Sequence, residues 1–373
     1  MNLIFVIMDG ARADKIPFGK NYSKVISKSA FFPKTITYAP YTIAALHSVF
    51  SGTYGHRNGV NSYWSSPKFK KNEFKSLTSY LKDAHYHTFA DVINNLVIPK
   101  IDFDEFIVHD ELHDNLIERH KNLIEKMTKL RDNGENFFLY LHYSNIHTGI
   151  MENVLKKYDN FSQEYFDRKS ENEIFYDKLF SNADDYLGSI IEHCEKLNLL
   201  DDTLIVIISD HGISIGEKFG ERAYGVFCYD YTLISTACFL MKNLPSINYT
   251  NQVRSIDILP TILELLDLPI DSKYKKIDGK SMISLINGKQ EQRISFSQSG
   301  NPLNNKEPPK KPNVWAIRTD NWKYIFNEYE NSEELYDLTS DKSEINNLVS
   351  SKPEIVQNLK SEMNKILNEN DRG

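Results

Sequence analysis

The chain has few cysteines, no excess of positive charge and no long apolar run, and each lack excludes a class of protein. Three cysteines in 373 residues are too few, and odd in number, for a disulfide framework. A formal net charge of -7 argues against nucleic-acid binding, which needs basic surfaces. No apolar run reaches the roughly 18 residues of a membrane span. The first apolar, strand-like run begins at residue 3, so we expect no secretory signal before it. We therefore expect a cytoplasmic protein with no membrane span and no nucleic-acid partner.

The sequence does contain apolar, strand-like runs that alternate with helical stretches. The runs typical of buried strands are 3–9, 88–93, 137–143, 203–209 and 236–241. The stretches with a helical pattern are 42–51, 74–84, 114–132, 171–197 and 256–267. This alternation predicts an α/β fold, a three-layer sandwich whose central sheet is mostly parallel.

The composition and the hydrophobic pattern of the sequence change after about residue 290. Residues 301–312 are rich in Pro, Asn and Lys, as in a loop, and two short strand candidates follow at 314–318 and 322–326. A terminal helix is predicted near 352–368. We therefore predict a main domain over 1–290 and a small C-terminal subdomain over 291–373. The subdomain is expected to be an antiparallel sheet with one helix, packed on the main domain through Trp315, Trp322 and Tyr324.

Two of the apolar runs end in acidic residues. The first is followed by Asp9, and the run at 203–209 is followed by Asp210 and His211. The carboxyl ends of strands in open α/β sheets are where ligands bind. Two carboxylates and an imidazole are ligands that a divalent cation takes. Helix capping is the simpler alternative for each acid, but the pair with an adjoining histidine favours a metal site.

A helix is predicted to begin at or just after Thr42, behind Pro40, and to end at Gly52. A threonine at a helix start has two interpretations. It can cap the helix with its hydroxyl. It can also be a nucleophile, activated by a metal and by the positive end of the helix.

The segment 39–60 resembles the signature of the sulfatase branch of the alkaline phosphatase superfamily. In that signature a nucleophile precedes a helix that ends in Thr-Gly and is followed by a His-Arg turn, and this chain has Ser51-Gly52 and His56-Arg57. Further stretches similar to family motifs follow in order, at 84–88, 137–147, 185–211, 257–263, 278–281 and 316–338. The resemblance implies an alkaline-phosphatase-like fold, ester hydrolysis, a nucleophile at Thr42 and metal ligands at Asp9, Thr42, Asp210 and His211.

Two departures from the family pattern bear on the chemistry. Formylglycine sulfatases need Cys or Ser at the nucleophile position, and oxidation of threonine would give a ketone. The two-zinc branches take a further histidine from the C-terminal third, whereas no histidine follows His211. We therefore predict one divalent cation (Mn, Zn, Mg or Ca) and in-line attack by Thr42 on a phosphate ester through a covalent intermediate.

Five further residues receive predicted roles from their positions beside the motifs. His147 follows a predicted strand and faces the substrate in the family, so we predict a catalytic role for it. Lys218 and Arg222 follow the Asp-His-Gly turn and are candidate catalytic residues, with plain surface charge an equal alternative. Asn94 and Arg57 are candidate substrate-binding residues.

Three functions are consistent with these features. The first is a hydrolase, or a transferase, of phosphate esters. The second is a sulfuric ester hydrolase, and the third is a catalytically silent binding protein on the same fold. The substrate is expected to be a small-molecule or carbohydrate-linked phosphate or sulfate ester. The sequence leaves the oligomeric state open.

Overall fold

A computed structural model of the protein describes residues 1–300 and 309–368. Within these ranges the chain forms thirteen strands: β1 (Asn2–Met8), β2 (Ala30–Ile36), β3 (His87–Val92), β4 (Glu105–Val108), β5 (Phe137–Tyr143), β6 (Thr203–Ile208), β7 (Ile234–Leu240), β8 (Ile247–Asn248), β9 (Val253–Arg254), β10 (Ser295–Ser299), β11 (Val314–Arg318), β12 (Trp322–Asn327) and β13 (Ser332–Asp337).

The same ranges contain twelve α-helices: α1 (Lys20–Ile26), α2 (Thr42–Ser51), α3 (Gly55–Asn58), α4 (Leu77–Asp83), α5 (Leu116–Asp132), α6 (Asn145–Ile150), α7 (Gln163–Asp167), α8 (Lys169–Lys196), α9 (Asp230–Leu233), α10 (Ile258–Leu265), α11 (Ile283–Ile286) and α12 (Pro353–Asn368). Among these described helices, none combines the length and the apolar character that crossing a membrane requires.

Nine strands form one central sheet, with β1 near its middle. The strand order is β4-β3-β5-β1-β6-β7-β2-β8, and β9 also pairs with β2. Strand β7 is antiparallel to both of its neighbours, and the other pairs are parallel. Met8 pairs with Tyr143 of β5, and Ile7 pairs with Ile208 of β6. The three strands therefore end side by side at one edge of the sheet.

Helices cover both faces of this sheet, and the side chains of β1 alternate between two apolar cores. Ile4 and Val6 lie in a core shared with α1, α5 and α8, whereas Leu3 and Phe5 lie in a core shared with α2, α4 and α10. Every residue of β1, β5 and β6 is buried, as expected for parallel strands covered on both faces. The predicted α/β three-layer sandwich is confirmed.

The C-terminal region forms a second, antiparallel sheet of four described strands in the order β10-β11-β12-β13. Tyr324 is buried in an apolar cluster with Tyr38 and Tyr54 of the main domain, and Trp315 and Trp322 pack against the same cluster. The predicted antiparallel sheet is therefore confirmed. Most of the loop predicted at 301–312 lies outside the described residues. The division between 290 and 291 stays a prediction.

Buried charges also connect the two sheets. Asp230 of α9 lies 2.9 Å from Arg318 Nη2 and 2.9 Å from Lys323 Nζ. Lys323 Nζ also lies 2.7 Å from Glu344 Oε1. All four residues are buried, so each charge depends on its partners rather than on water for compensation.

Candidate active site

The site begins where β1 and β6 end. Asp9 directly follows β1, and Asp210 and His211 follow β6, so the parallel register brings them together. One ligand atom from each of the three lies within 4.8 Å of the others. The backbone N–H groups of Gly10 and His211 donate to Asp210 Oδ1 at 3.1 and 2.9 Å. These bonds orient the other carboxylate oxygen, Oδ2, toward His211.

Three lone-pair atoms converge at this point. Among the described residues, Asp9 Oδ1 and Asp210 Oδ2 are buried and have no hydrogen-bond partner. They lie 3.8 and 3.5 Å from His211 Nε2. His211 Nδ1 donates to the carbonyl of Gly212 at 2.8 Å, because a carbonyl can only accept, so Nε2 carries the lone pair. None of these three atoms, two carboxylate oxygens and one imidazole nitrogen, carries a proton, so together they fit a divalent cation.

The electrostatics of the two acids support the same interpretation. Burial raises the pKa of Asp210, and the charge of Asp9 raises it further. Burial also raises the pKa of Asp9. The charge of His147 and the hydrogen bond from His142 outweigh burial, so the pKa of Asp9 is lowered to about 2. Adjacent buried carboxylates disfavour each other's ionised form, and a bound cation would relieve this repulsion.

Thr42 is the first residue of α2 and reaches this group. Its Oγ1 lies 3.3 Å from His211 Nε2, and the residue is buried with 8% of its surface exposed. The residue at the N-cap position is Tyr41, whose side chain makes no capping hydrogen bond. Thr42 follows it as the first helical residue, so it does not have the capping role considered as the alternative. The structure thus brings together all four predicted ligands, and their binding of a metal stays a prediction.

Two histidines of the β5–α6 region contact Asp9. His142 Nε2 lies 3.0 Å from Asp9 Oδ2. His142 was not predicted as a site residue, although a histidine inside an apolar strand is a signal that could have identified it. His147 Nδ1 lies 3.8 Å from the same oxygen and 3.3 Å from the Tyr224 hydroxyl. The side chain of His147 is 22% exposed, whereas that of His142 is fully buried. His147 is therefore the member of this pair that a bound ligand can reach, and its catalytic role stays a prediction.

Tyr224 forms one side of the site and was also missed. Its ring centroid lies 4.8 Å from that of His211. Arg222, two residues earlier, donates to Asn160 Oδ1 at 2.7 Å. Its buried Nε has no hydrogen-bond partner among the described residues. Burial lowers the pKa of Arg222, while the nearby Tyr224 hydroxyl raises it.

The other predicted residues lie in different surroundings. Lys218 donates to the Glu344 carbonyl, and its Nζ lies 4.6 Å from the Tyr229 ring centroid, facing the C-terminal region. Asn94 is exposed after β3, and its Oδ1 accepts from Leu96 N at 2.8 Å. Arg57 pairs with Asp278 beyond the far end of α2. Roles for these residues in catalysis or substrate binding stay predictions.

A buried hydrogen-bond network supports the segment that carries His147. His109 Nε2 lies 2.9 Å from Ser144 Oγ, and His109 Nδ1 lies 2.7 Å from Asp91 Oδ1. Arg119 completes the network by pairing with Asp91. Ser144 immediately precedes α6, of which His147 is the third residue. The network therefore fixes where α6 begins and, with it, the position of His147.

Ser144→Ala is expected to destabilise the protein by about 1–3 kcal/mol, because it leaves a buried His109 nitrogen without a partner. Urea unfolding of the purified variant measures this change. Ser181, an exposed residue of α8, provides the matched control, and Ser181→Ala should change the free energy of unfolding by less than about 0.5 kcal/mol. Equal free energies of unfolding for the two variants would show that the hydrogen bond between Ser144 and His109 does not stabilise the protein.

A mostly parallel sheet whose strand ends hold an acid pair and a histidine, beside a hydroxyl at a helix start, is the arrangement that the resemblance to the sulfatase branch of the alkaline phosphatase superfamily implies. The family model for sulfatases matches residues 1–268, and the model for the C-terminal part of N-sulphoglucosamine sulphohydrolase matches residues 238–371. The chain belongs to the sulfatase family. The resemblance found in the sequence is confirmed.

Curated relatives of the chain are sulfatases. Arylsulfatase K of Rattus norvegicus is 27% identical over 227 residues, covering 57% of this chain and 38% of that protein. Choline-sulfatase of Rhizobium meliloti is 29% identical over 171 residues, covering 45% of this chain and 31% of that protein. The matched region thus spans less than two fifths of the length of these relatives.

Solved structures share the fold over almost the whole chain. A protein in complex with its substrate D-glucosamine-2-N,6-O-disulfate matches with a TM-score of 0.75 at 16% identity, covering 99% of this chain and 98% of that chain. The phosphonate monoester hydrolase of Agrobacterium radiobacter matches with a TM-score of 0.75 at 12% identity, covering 99% and 96%. At these identities the likeness establishes the fold.

Proposed function

We propose that the protein hydrolyses sulfate esters at the site formed by Asp9, Thr42, Asp210 and His211. The observation that carries the proposal is the convergence of two unpartnered carboxylate oxygens, an imidazole lone pair and the Thr42 hydroxyl. Membership of the sulfatase family supports sulfate as the ester group. This places the sulfuric ester, the second alternative of the sequence analysis, ahead of the phosphate ester.

The donor set fits one divalent cation. Asp9, Asp210 and His211 would hold it, with Thr42 beside them, and a cation there supplies Lewis-acid stabilisation of charge on the ester oxygens. The set combines hard carboxylate oxygens with one nitrogen, so Mn, Zn, Mg and Ca all stay candidates. Among the described residues, one other buried group of acid and histidine side chains could hold a metal, around Asp91. The carboxylate of Asp91 already forms an ion pair with Arg119.

The residues around the donor set can perform the ester cleavage in two displacements. In the first, Thr42 Oγ1 bonds to sulfur and loses its proton to solvent, while the bond between sulfur and the ester oxygen breaks. His147 gives the departing alcohol its proton. In the second, His147 takes a proton from a water molecule as that water bonds to sulfur. The bond between sulfur and Thr42 Oγ1 breaks, sulfate leaves, and Oγ1 recovers its proton from solvent. The Tyr224 hydroxyl, 3.3 Å from His147 Nδ1, orients the ring of His147.

Phosphate esters are the second candidate substrate, and Thr42 favours them. Threonine cannot form formylglycine, whereas a threonine hydroxyl suits phosphoryl transfer to a protein oxygen or onward to an acceptor alcohol. The substrate is proposed to be a small or carbohydrate-linked ester, and a fold neighbour binds a disulfated glucosamine.

A panel of nitrophenyl esters tests the proposal. The purified protein is assayed with the sulfate, phosphate monoester, phosphodiester and phosphonate, each with Mn²⁺, Zn²⁺, Mg²⁺ and Ca²⁺. We expect the highest kcat/KM for the sulfate ester with one of these cations. A higher kcat/KM for a phosphate ester would replace the first candidate by the second. Protein carrying Asp210→Asn, prepared in the same way, controls for contaminating esterases.

A further inference from the structure

A basic cleft lies beyond the C-terminal end of α2, away from the candidate active site. Its volume is about 1220 Å³, and its walls come from the α2–α3 turn, from residues 70–74 and from residues 273–280. Helix α2 has ten residues, so its two ends lie about 15 Å apart. Because Thr42 occupies the first residue of that helix, the cleft is separate from the site described above.

The charge of this cleft opposes that of the whole protein. Eight lysines and arginines line it, against three acids, whereas the whole chain has a net charge of -7. Five of the cationic residues are exposed: Lys70, Lys273, Lys275, Lys276 and Lys280. A concave surface on which one sign of charge predominates concentrates the field of those charges. The cleft is therefore suited to an anion that the rest of the surface repels.

Acids pair with three of the five exposed lysines and leave two without a carboxylate partner among the described residues. Glu73 lies 3.9 Å from Lys70 Nζ as well as near Lys275, and Glu291 lies 3.2 Å from Lys280 Nζ. Asp278 is bound by Arg57, and Glu362 lies 2.5 Å from Lys365, outside the cleft. Glu73 lies 3.0 Å from Lys275 Nζ. Within the part of the chain that the structure describes, Lys273 and Lys276 have no carboxylate oxygen within 4.0 Å. At least two ammonium groups are therefore available for a ligand.

The loop that carries these lysines is held in place by the main domain. The N–H groups of Asp278 and Gly279 donate to the Gly52 carbonyl at 3.0 and 2.9 Å, and Lys275 N donates to the Glu73 carbonyl at 2.9 Å. The Asp278 carboxylate accepts from Tyr54 N at 3.0 Å. A loop whose backbone is fixed at both walls presents its lysines without the entropy cost of ordering the backbone on binding.

We propose that this cleft binds an anionic oligosaccharide, one that carries sulfate groups on several sugar units. The choice of a carbohydrate as the ligand rests on the proposed function, because a sulfated sugar chain bound in this cleft also carries the sulfate ester groups that the protein is proposed to hydrolyse. Nucleic acid is the less suitable polyanion, because Tyr54 and Phe74 in the lining are buried and Tyr274 is only partly exposed, so the cleft lacks a row of open ring faces for stacked bases.

Binding of a heparin-derived hexasaccharide to the full-length protein tests this inference. Affinity is measured by calorimetry for the sulfated hexasaccharide, for its desulfated counterpart and for a single-stranded oligonucleotide of equal charge. We expect the sulfated sugar to bind most tightly. Lys273→Ala combined with Lys276→Ala should weaken its binding by about tenfold and reduce the salt dependence of the affinity, because two ionic contacts are lost.

The matched control removes two equally exposed lysines from helices elsewhere, Lys129→Ala with Lys178→Ala, and should leave the affinity unchanged. Three results would overturn the inference: no binding by the unmodified protein, equal weakening in both double variants, or equal affinity for the oligonucleotide. Turnover of nitrophenyl sulfate is measured separately on the unmodified protein. Binding that depends on the cleft without any turnover would reject the proposed function alone, and turnover without such binding would reject the cleft alone.

Discussion

Thr42→Ala is expected to reduce ester hydrolysis by at least about 10³-fold, as removal of a covalent nucleophile does in other enzymes. The hydroxyl is the part of Thr42 that contacts His211 Nε2 at 3.3 Å, and alanine lacks it. The fold should persist, because the hydroxyl does not cap α2 and alanine favours helices. We therefore expect the free energy of unfolding to change by less than about 1 kcal/mol. Steady-state kinetics and urea unfolding of the same preparation measure the two effects.

Thr42→Ser is the conservative control for this experiment. It keeps the hydroxyl and removes only a methyl group, so measurable activity should remain. Thr42→Ala with rates close to those of the unmodified protein would exclude the covalent mechanism. The attacking group would then be water, and Thr42 would only be a wall of the site.

Asp210→Asn is expected to abolish high-affinity binding of the cation and to lower kcat/KM by at least about 10³-fold. The amide keeps an oxygen that accepts from the Gly10 and His211 N–H groups but removes one of the two negative charges facing the cation. Thermal unfolding is followed during titration with the most activating cation. The unmodified protein should gain stability as the cation binds the folded state, whereas Asp210→Asn should gain little.

Treatment of the unmodified protein with a chelator should have the same effect on activity, and adding the cation back should restore it. Asp132→Asn, in a largely exposed side chain of α5, controls for the loss of one carboxylate. Full activity of the chelated protein, or cation-dependent stabilisation of Asp210→Asn equal to that of the unmodified protein, would show that the cation does not bind between Asp9 and Asp210.

The central strands and their ends could be predicted because burial leaves a strong pattern. Strands β1, β5 and β6 are covered on both faces, so their sequences are continuous apolar runs, and the acids that end two of them are conspicuous. Strand β2 was missed because Pro33 and Lys34 interrupt its apolar pattern at a shift in its register with β7. Strand β4 was missed because it is short and lies at the sheet edge, where it is only half buried.

The contacts missing from the sequence analysis depend on pairing between distant segments. His142 contacts Asp9 only because β5 pairs with β1 in the register that sets Ile7 opposite His142. Tyr224 reaches His211 through a loop without a periodic pattern. The threonine at position 42 argues against formylglycine chemistry, and this single residue led to the prediction of a phosphate ester rather than a sulfate ester as the substrate. The family match rests on most of the chain and therefore gives sulfate more weight.

The buried charges between the two sheets have a consequence for how the halves of the protein find their correct arrangement. Apolar sheet faces tolerate sliding, since one aliphatic contact can replace another. Arg318 and Lys323 tolerate none, because a shift of the C-terminal sheet would separate these buried cations from Asp230 of the main domain, at a cost of about 3–5 kcal/mol. We infer that the four buried charged residues add little to the free energy of unfolding of the native protein. They discriminate instead against misdocked intermediates, in which the C-terminal sheet has settled one residue out of place.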